Sequence, residues 1–85
     1  MTVKPLATAV DVSITPTNLG TANVISVVNT SNSAVSITLA GTSSIEFWIG
    51  AGERITVEKE YAADVVCVPA QPAGTVYANK VAYTN

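Results

Sequence analysis

The sequence predicts an all-β fold, a small antiparallel β-sandwich or compact barrel of seven to eight short strands. Three observations predict it. Apolar and polar residues alternate through Val35–Leu39 and Ile55–Glu58, and Ile45, Phe47 and Ile49 share one face, the pattern of strands with one packed face and one wet face. The links between apolar runs are mostly short and built of Gly, Ser, Thr, Asn and Pro, residues that reverse a chain. No segment keeps the period of about 3.6 residues over helical length.

Residues 1–8 hold Pro5 and little alternation, so they read as an arm, loose or laid along a neighbour. Residues 9–85 read as a single β domain. Its first strand is expected over Ala9–Ile14, with Val10, Val12 and Ile14 on one face, stopped by Pro16. Val24–Asn29 and Ala34–Leu39 flank Thr30-Ser31-Asn32-Ser33, which by composition is a tight hairpin. Ser44–Ile49 and Arg54–Lys59 flank the link Gly50-Ala51-Gly52. Glu60–Asp64 is at most a turn, and Val65–Val68 is an apolar strand ended by Pro69. A proline-bearing loop over residues 69–74 precedes two closing strands, Thr75–Ala78 and Lys80–Thr84. Ile37, Leu39, Phe47, Ile55 and Val57 are the expected core.

With 85 residues, one domain of this size buries only about 60% of its unfolded surface. The usual supports of so small a core are a metal or a disulfide framework, yet the chain has one cysteine, Cys67, and no histidine. Charged residues are only 12% of the chain, against roughly 25% in soluble domains generally. Part of the surface is therefore expected to be covered by neighbouring subunits. A net charge of −2 has the wrong sign for a phosphate backbone, so no nucleic-acid partner is expected. No apolar run approaches the roughly 20 residues of a membrane helix, and residues 1–10 lack the apolar stretch of a secretory signal. No membrane partner is expected, and the lone Cys67 fits a reducing compartment.

Chemistry is sparse. Without histidine, the Ser–His–acid and Cys–His arrangements are excluded, and so is the commonest transition-metal ligand. Glu58, Glu60 and Asp64, with Lys59 among them, match no calcium-loop spacing and read as solvated or salt-bridged surface charge. Gly50-Ala51-Gly52 opens a strand rather than a helix and lacks the Lys-Ser or Lys-Thr of a phosphate loop. Cys67 reads as a small buried hydrophobe. The chain is expected not to be an enzyme and to take no cofactor, no metal and no small-molecule substrate.

Trp48 is the most informative single residue. It follows Phe47 in a strand, so the two rings point to opposite faces. If Phe47 joins Ile45 and Ile49 in the core, Trp48 faces out beside Glu46 as an anchor for a protein contact. A bend in the strand would bury both rings, and the sequence leaves both readings open. The candidate protein-contact residues are Val3, Pro5 and Leu6 of the arm, with Trp48 and Tyr83.

A Val/Ile-rich strand ends in Asn29-Thr30 and is followed by a Ser/Thr-rich turn, a Gly-bounded strand with Phe47, the stretch Ala51-Gly52-Glu53-Arg54-Ile55-Thr56-Val57-Glu58-Lys59, and a closing Lys80-Val81-Ala82-Tyr83. Over residues 23–84 this succession resembles small structural proteins of tailed bacteriophages of marine bacteria. The resemblance implies a virion component, several families of which decorate the capsid as β-rich oligomers, and leaves head, neck or tail open. The expectation adopted is a capsid-decoration protein made in the host cytoplasm and carried on the outside of the phage head. It implies a homo-oligomer, with a trimer suiting local three-fold positions on an icosahedral shell, and the major capsid protein as partner. A tail or neck component and a small carbohydrate- or peptide-binding β module are the alternatives.

Overall fold

Among the described residues, 2–42, 44–68 and 71–84 of a computed structural model, eight strands and no helix form two antiparallel sheets. In chain order the strands are β1 (Thr2–Pro5), β2 (Val10–Asp11), β3 (Val24–Asn29), β4 (Val35–Ala40), β5 (Ser44–Ile49), β6 (Arg54–Glu58), β7 (Val65–Cys67) and β8 (Val76–Thr84). One sheet runs β1-β8-β3-β6, with β2 also on β8, and the other runs β5-β4-β7. Register places Ile25, Val27, Val76 and Ala78 of the first sheet on one face. They share a single buried cluster with Val35, Ile37, Leu39, Ile49 and Val66 of the second. The fold is thus a sandwich; each sheet keeps its own edges, so the barrel alternative is not realised.

The link Thr30–Ser33 is not the tight hairpin its composition suggests. β3 pairs with β6 and β8, whereas β4 pairs with β5 and β7, so the link arches from one sheet to the other. Gly50-Ala51-Gly52 does the same between β5 and β6, with Gly52 at φ 72°, a conformation a side chain would strain. Asn29, fully buried, joins the two arches. Its Nδ2 donates to the carbonyls of Ser33, Ile49 and Gly50 at 2.8, 3.2 and 3.1 Å. Its Oδ1 accepts from the Ser31 amide and hydroxyl at 2.9 and 2.7 Å. One side-chain amide therefore ties backbone groups of both crossings together, while the carbonyls of Ser33 and Gly50 also accept from the Ser31 hydroxyl and the Glu53 amide.

The expected first strand is cut to Val10–Asp11. Val12 is buried, but Val10 and Ile14 are 43% and 67% exposed, so the three do not share one packed face. Asp11 is the cause. Its Oδ1 accepts the Ser13 amide at 2.9 Å and its Oδ2 the Gly74 amide at 2.7 Å. The Val12 amide still donates to the Val76 carbonyl at 3.0 Å, but past it Ser13 meets the Thr75 and Val76 amides through its hydroxyl instead of a strand ladder. The arm, in turn, lies along a strand of its own chain: β1 pairs with β8 from Thr2↔Thr84 to Pro5↔Val81. Because β2 and β3 pair with the same β8 residues, Tyr77 and Ala78, they flank β8 on opposite sides. β1 and β2 are therefore one edge strand interrupted over residues 6–9. The two expected closing strands are a single nine-residue strand, β8.

Of the expected core, Ile37 and Leu39 are buried, while Phe47, Ile55 and Val57 are only partly covered. Cys67 is half-buried rather than buried. The acidic cluster also divides. Glu58 and Glu60 are exposed as expected, but Lys59 and Asp64 are buried. Lys59 Nζ donates to the carbonyls of Asn18, Ala62 and Asp64 at 3.0, 2.8 and 2.9 Å, using all three ammonium protons. Burial pushes its pKa down, opposed by the charge of Asp64. Asp64 Oδ1 accepts the Thr42 amide at 2.7 Å. It would stand 2.8 Å from a Cβ at Gly41, whose φ is 138°, so glycine is required there for space and for conformation alike.

Candidate protein-contact site

Exposed large apolar side chains mark two places on the sandwich. The first is the broken edge. Where β1 gives way to β2, residues 6–8 loop out, held by the Leu6 amide on the Lys80 carbonyl at 2.9 Å. Asn79 Nδ2 reaches the Ala7 carbonyl at 3.4 Å on the same loop. The break leaves a groove of about 450 Å³ walled by Leu6, Val10, Thr17 and Leu19, with Lys80 at its side. One wall is conformationally costly: Leu19, Gly20 and Thr21 stand consecutively at φ 58°, 70° and 56°. For non-glycine residues such backbone costs about 1–2 kcal/mol each. Asn18 Oδ1 holds it by accepting the Gly20 and Thr21 amides at 3.1 and 3.2 Å.

The second place is the flank where both sheets end, one at β5 and the other at β6. The arch over residues 50–53 joins these two strands, so their edges lie side by side. The bounds of burial here follow from that. Phe47, Ile55 and Val57 face inward by register yet are only half-buried, and Ile45, on the same face as Phe47, is 45% exposed. The chain supplies no further strand to cover them among the described residues. On the outer face of β5, Trp48 is 64% exposed, paired across from Ser36 and two residues from Glu46. Of the two readings of this strand, the structure has Phe47 inward and Trp48 outward.

The structure brings Val3, Pro5 and Leu6 together along the broken edge, all exposed. Tyr83 pairs with Val3 through the backbone; its side chain lies outside the described residues. Trp48 does not join them, because β5 lies beneath β6, at the far end of the strand order from β1. Sequence reasoning missed Val10, Leu19 and Lys80 of the groove and Ile45 of the flank. Val10 was hidden by its alternation with Val12, which mimics a core strand. The loss of alternation over Leu6-Ala7-Thr8-Ala9 was the available signal for a break.

Among the described residues no group of three or more His, Cys, Asp or Glu is placed to hold a metal ion. No helix among the described residues is long and apolar enough to cross a membrane. Asp11 is held below the ordinary carboxylate range by the Ser13 amide, then the Ser13 hydroxyl and the Gly74 amide. These donors brace a bend in the chain. Comparison with protein families, curated proteins and solved structures finds no match.

Proposed function

We propose that this protein is a virion structural component, a homo-oligomer that adds to the outer surface of a phage capsid through contacts with the major capsid protein. One observation carries the reading. On a chain with only 12% charged residues, five of the seven large apolar side chains exposed among the described residues, Val3, Leu6, Val10, Ile45 and Trp48, lie along two flanks of the sandwich, the other two being Ile14 and Tyr61. Apolar surface so distributed favours burial against other protein. The resemblance of residues 23–84 to phage structural proteins supplies the kind of assembly.

The test is co-sedimentation of the full chain with capsid shells, followed by cryo-electron microscopy of the loaded particles. Binding that saturates at a fixed ratio to the major capsid protein and is weakened by Leu6→Asp or Trp48→Asp is expected. Absence from particles overturns the proposal; a place on the tail alone keeps the virion class and removes the decoration role. The groove beside Lys80 favours a second reading, a small module for a short apolar peptide ending in a carboxylate. Titration with tetrapeptides bearing free or amidated ends separates the two readings.

A further inference from the structure

We infer that the β5–β6 flank is a two-fold interface that takes the same flank of a second copy, extending both sheets across the axis at once. The inference does not depend on the capsid reading, since it concerns how one copy meets the next.

The residues of β6 read Arg54-Ile55-Thr56-Val57-Glu58. A two-fold axis perpendicular to the sheets pairs residues of one face with the same face of the partner strand, antiparallel. Centred on Thr56, that operation sets Arg54 of each copy opposite Glu58 of the other, and Ile55 opposite Val57. Register with β3 puts Ile55 and Val57 on the core side and Arg54, Thr56 and Glu58 on the outer side. The apolar pairs would thus meet inside and two opposite-charge pairs outside. Arg54 donates to the Ser26 hydroxyl of β3 at 2.7 Å, which keeps its guanidinium on the outer face but turned toward β3. To meet Glu58 of the second copy it would offer its remaining N–H groups across β6.

The second sheet supports the same axis. Phe47 lies three positions before Gly50 and Thr56 three after Glu53, so the two sit at matching levels on either side of the arch. An axis through Thr56 therefore passes near Phe47. Self-pairing of β5 about Phe47 sets Ile45 opposite Ile49 and Phe47 opposite its own copy on the inner face, and Glu46 opposite Trp48 on the outer face. The half-covered Phe47, Ile45, Ile55 and Val57 would all be buried.

Neighbouring registers are worse. Moving the axis one residue away from the arch places Glu46 opposite Glu46. One residue toward the arch removes both Arg54–Glu58 pairs. Like charges directly opposite destabilise a ladder and opposite charges stabilise it, so one register is selected.

Sedimentation equilibrium of the full chain at micromolar concentration, with charge-reversed variants, tests this. The wild-type chain is expected to be a dimer, or an assembly built of dimers. Arg54→Glu or Glu58→Arg alone should weaken association by on the order of tenfold, since each converts two attractive pairs into two repulsive ones. The double variant Arg54→Glu/Glu58→Arg should restore it. Circular dichroism of each variant separates lost pairing from lost fold, and both side chains are exposed. A monomer at every concentration, a trimer, or an oligomer indifferent to both single reversals overturns the inference. A trimer would leave the assembly reading standing, whereas absence from particles would leave the dimer standing.

Discussion

The two edges of the larger sheet are finished in opposite ways. At one edge the strand is broken: β1 and β2 share β8 with a four-residue interruption, and Asp11, Asn79 and the left-handed turn at Leu19–Thr21 hold the loops around it. At the other edge β6 runs unbroken for five residues, with opposite charges at its two ends. A broken, looped edge offers no continuous ladder to another chain. A regular edge is a template, which proteins ordinarily guard with charge or cover. The difference teaches that this chain blunts one edge with its own side chains and leaves the other regular, the edge that the proposed two-fold pairing would cover.

The largest expected effect breaks the comparison at its source. Asn29→Ala removes the amide that ties both arches, leaving the buried Ile49 carbonyl and the part-buried carbonyls of Ser33 and Gly50 without that donor, and the Ser31 amide and hydroxyl without their acceptor. A loss of about 3–5 kcal/mol in denaturant unfolding is expected, together with loss of self-association, because the arches set β5 beneath β6. A loss below about 1 kcal/mol would mean that water replaces the amide without cost.

Phe47→Ala comes next. Full burial would imply a loss of about 3–5 kcal/mol, but Phe47 is only half-covered in one chain. The dilute protein should lose about 1–3 kcal/mol, and the loss should grow with protein concentration if a second copy covers the ring. A cost independent of concentration would separate Phe47 from any interface.

At the broken edge the handle is pH. Asp11 has a folded pKa below its ordinary value, chiefly through the Ser13 amide. As pH falls from the ordinary carboxylate range, the unfolded chain takes up this proton first, so stability falls until the folded carboxylate is protonated too. Asp11→Asn should flatten that part of the acid limb in a pH series of thermal melts, while Asn29, being neutral, contributes no such slope. An unchanged acid limb would show that Asp11 does not brace the bend.

The smallest effect belongs to the groove wall. Thr21 is exposed at φ 56°, so Thr21→Gly should raise stability by roughly 0.5–1 kcal/mol by relieving left-handed strain. A decrease in melting temperature would indicate that the Thr21 hydroxyl, which donates to the Gly20 carbonyl at 2.6 Å, matters more than the strain.

Much of this was legible in the sequence because alternation reports a strand's faces directly. The bounds of β3 and β5 and the inward faces of β4, β5 and β6 are where the pattern puts them. Pairing was not legible. Thr30–Ser33 has the composition of a hairpin, but turn residues specify that the chain reverses, not whether it stays in one sheet. The deciding group, the Asn29 side chain, acts through carbonyls as many as 21 positions away. Lys59 misled for a related reason: its three acceptors are backbone carbonyls, which leave no trace in residue type. Of the contact site, Trp48 and Leu6 were visible as apolar residues in low-charge surroundings. The complementarity of Arg54 and Glu58 on which the two-fold proposal rests became visible only once β6 was known to be an edge.

The most direct measurement of the two-fold account is oxidative cross-linking of Thr56→Cys in a Cys67→Ser background. On the axis, position 56 stands opposite itself, at the Cα separation of about 4.5–5.5 Å found between antiparallel partners, within reach of a disulfide. The account predicts that Thr56→Cys gives a covalent dimer under mild oxidation, while Glu58→Cys in the same background, opposite Arg54 of the second copy, does not. Cross-linking at 58 in place of 56, or at neither, would contradict it.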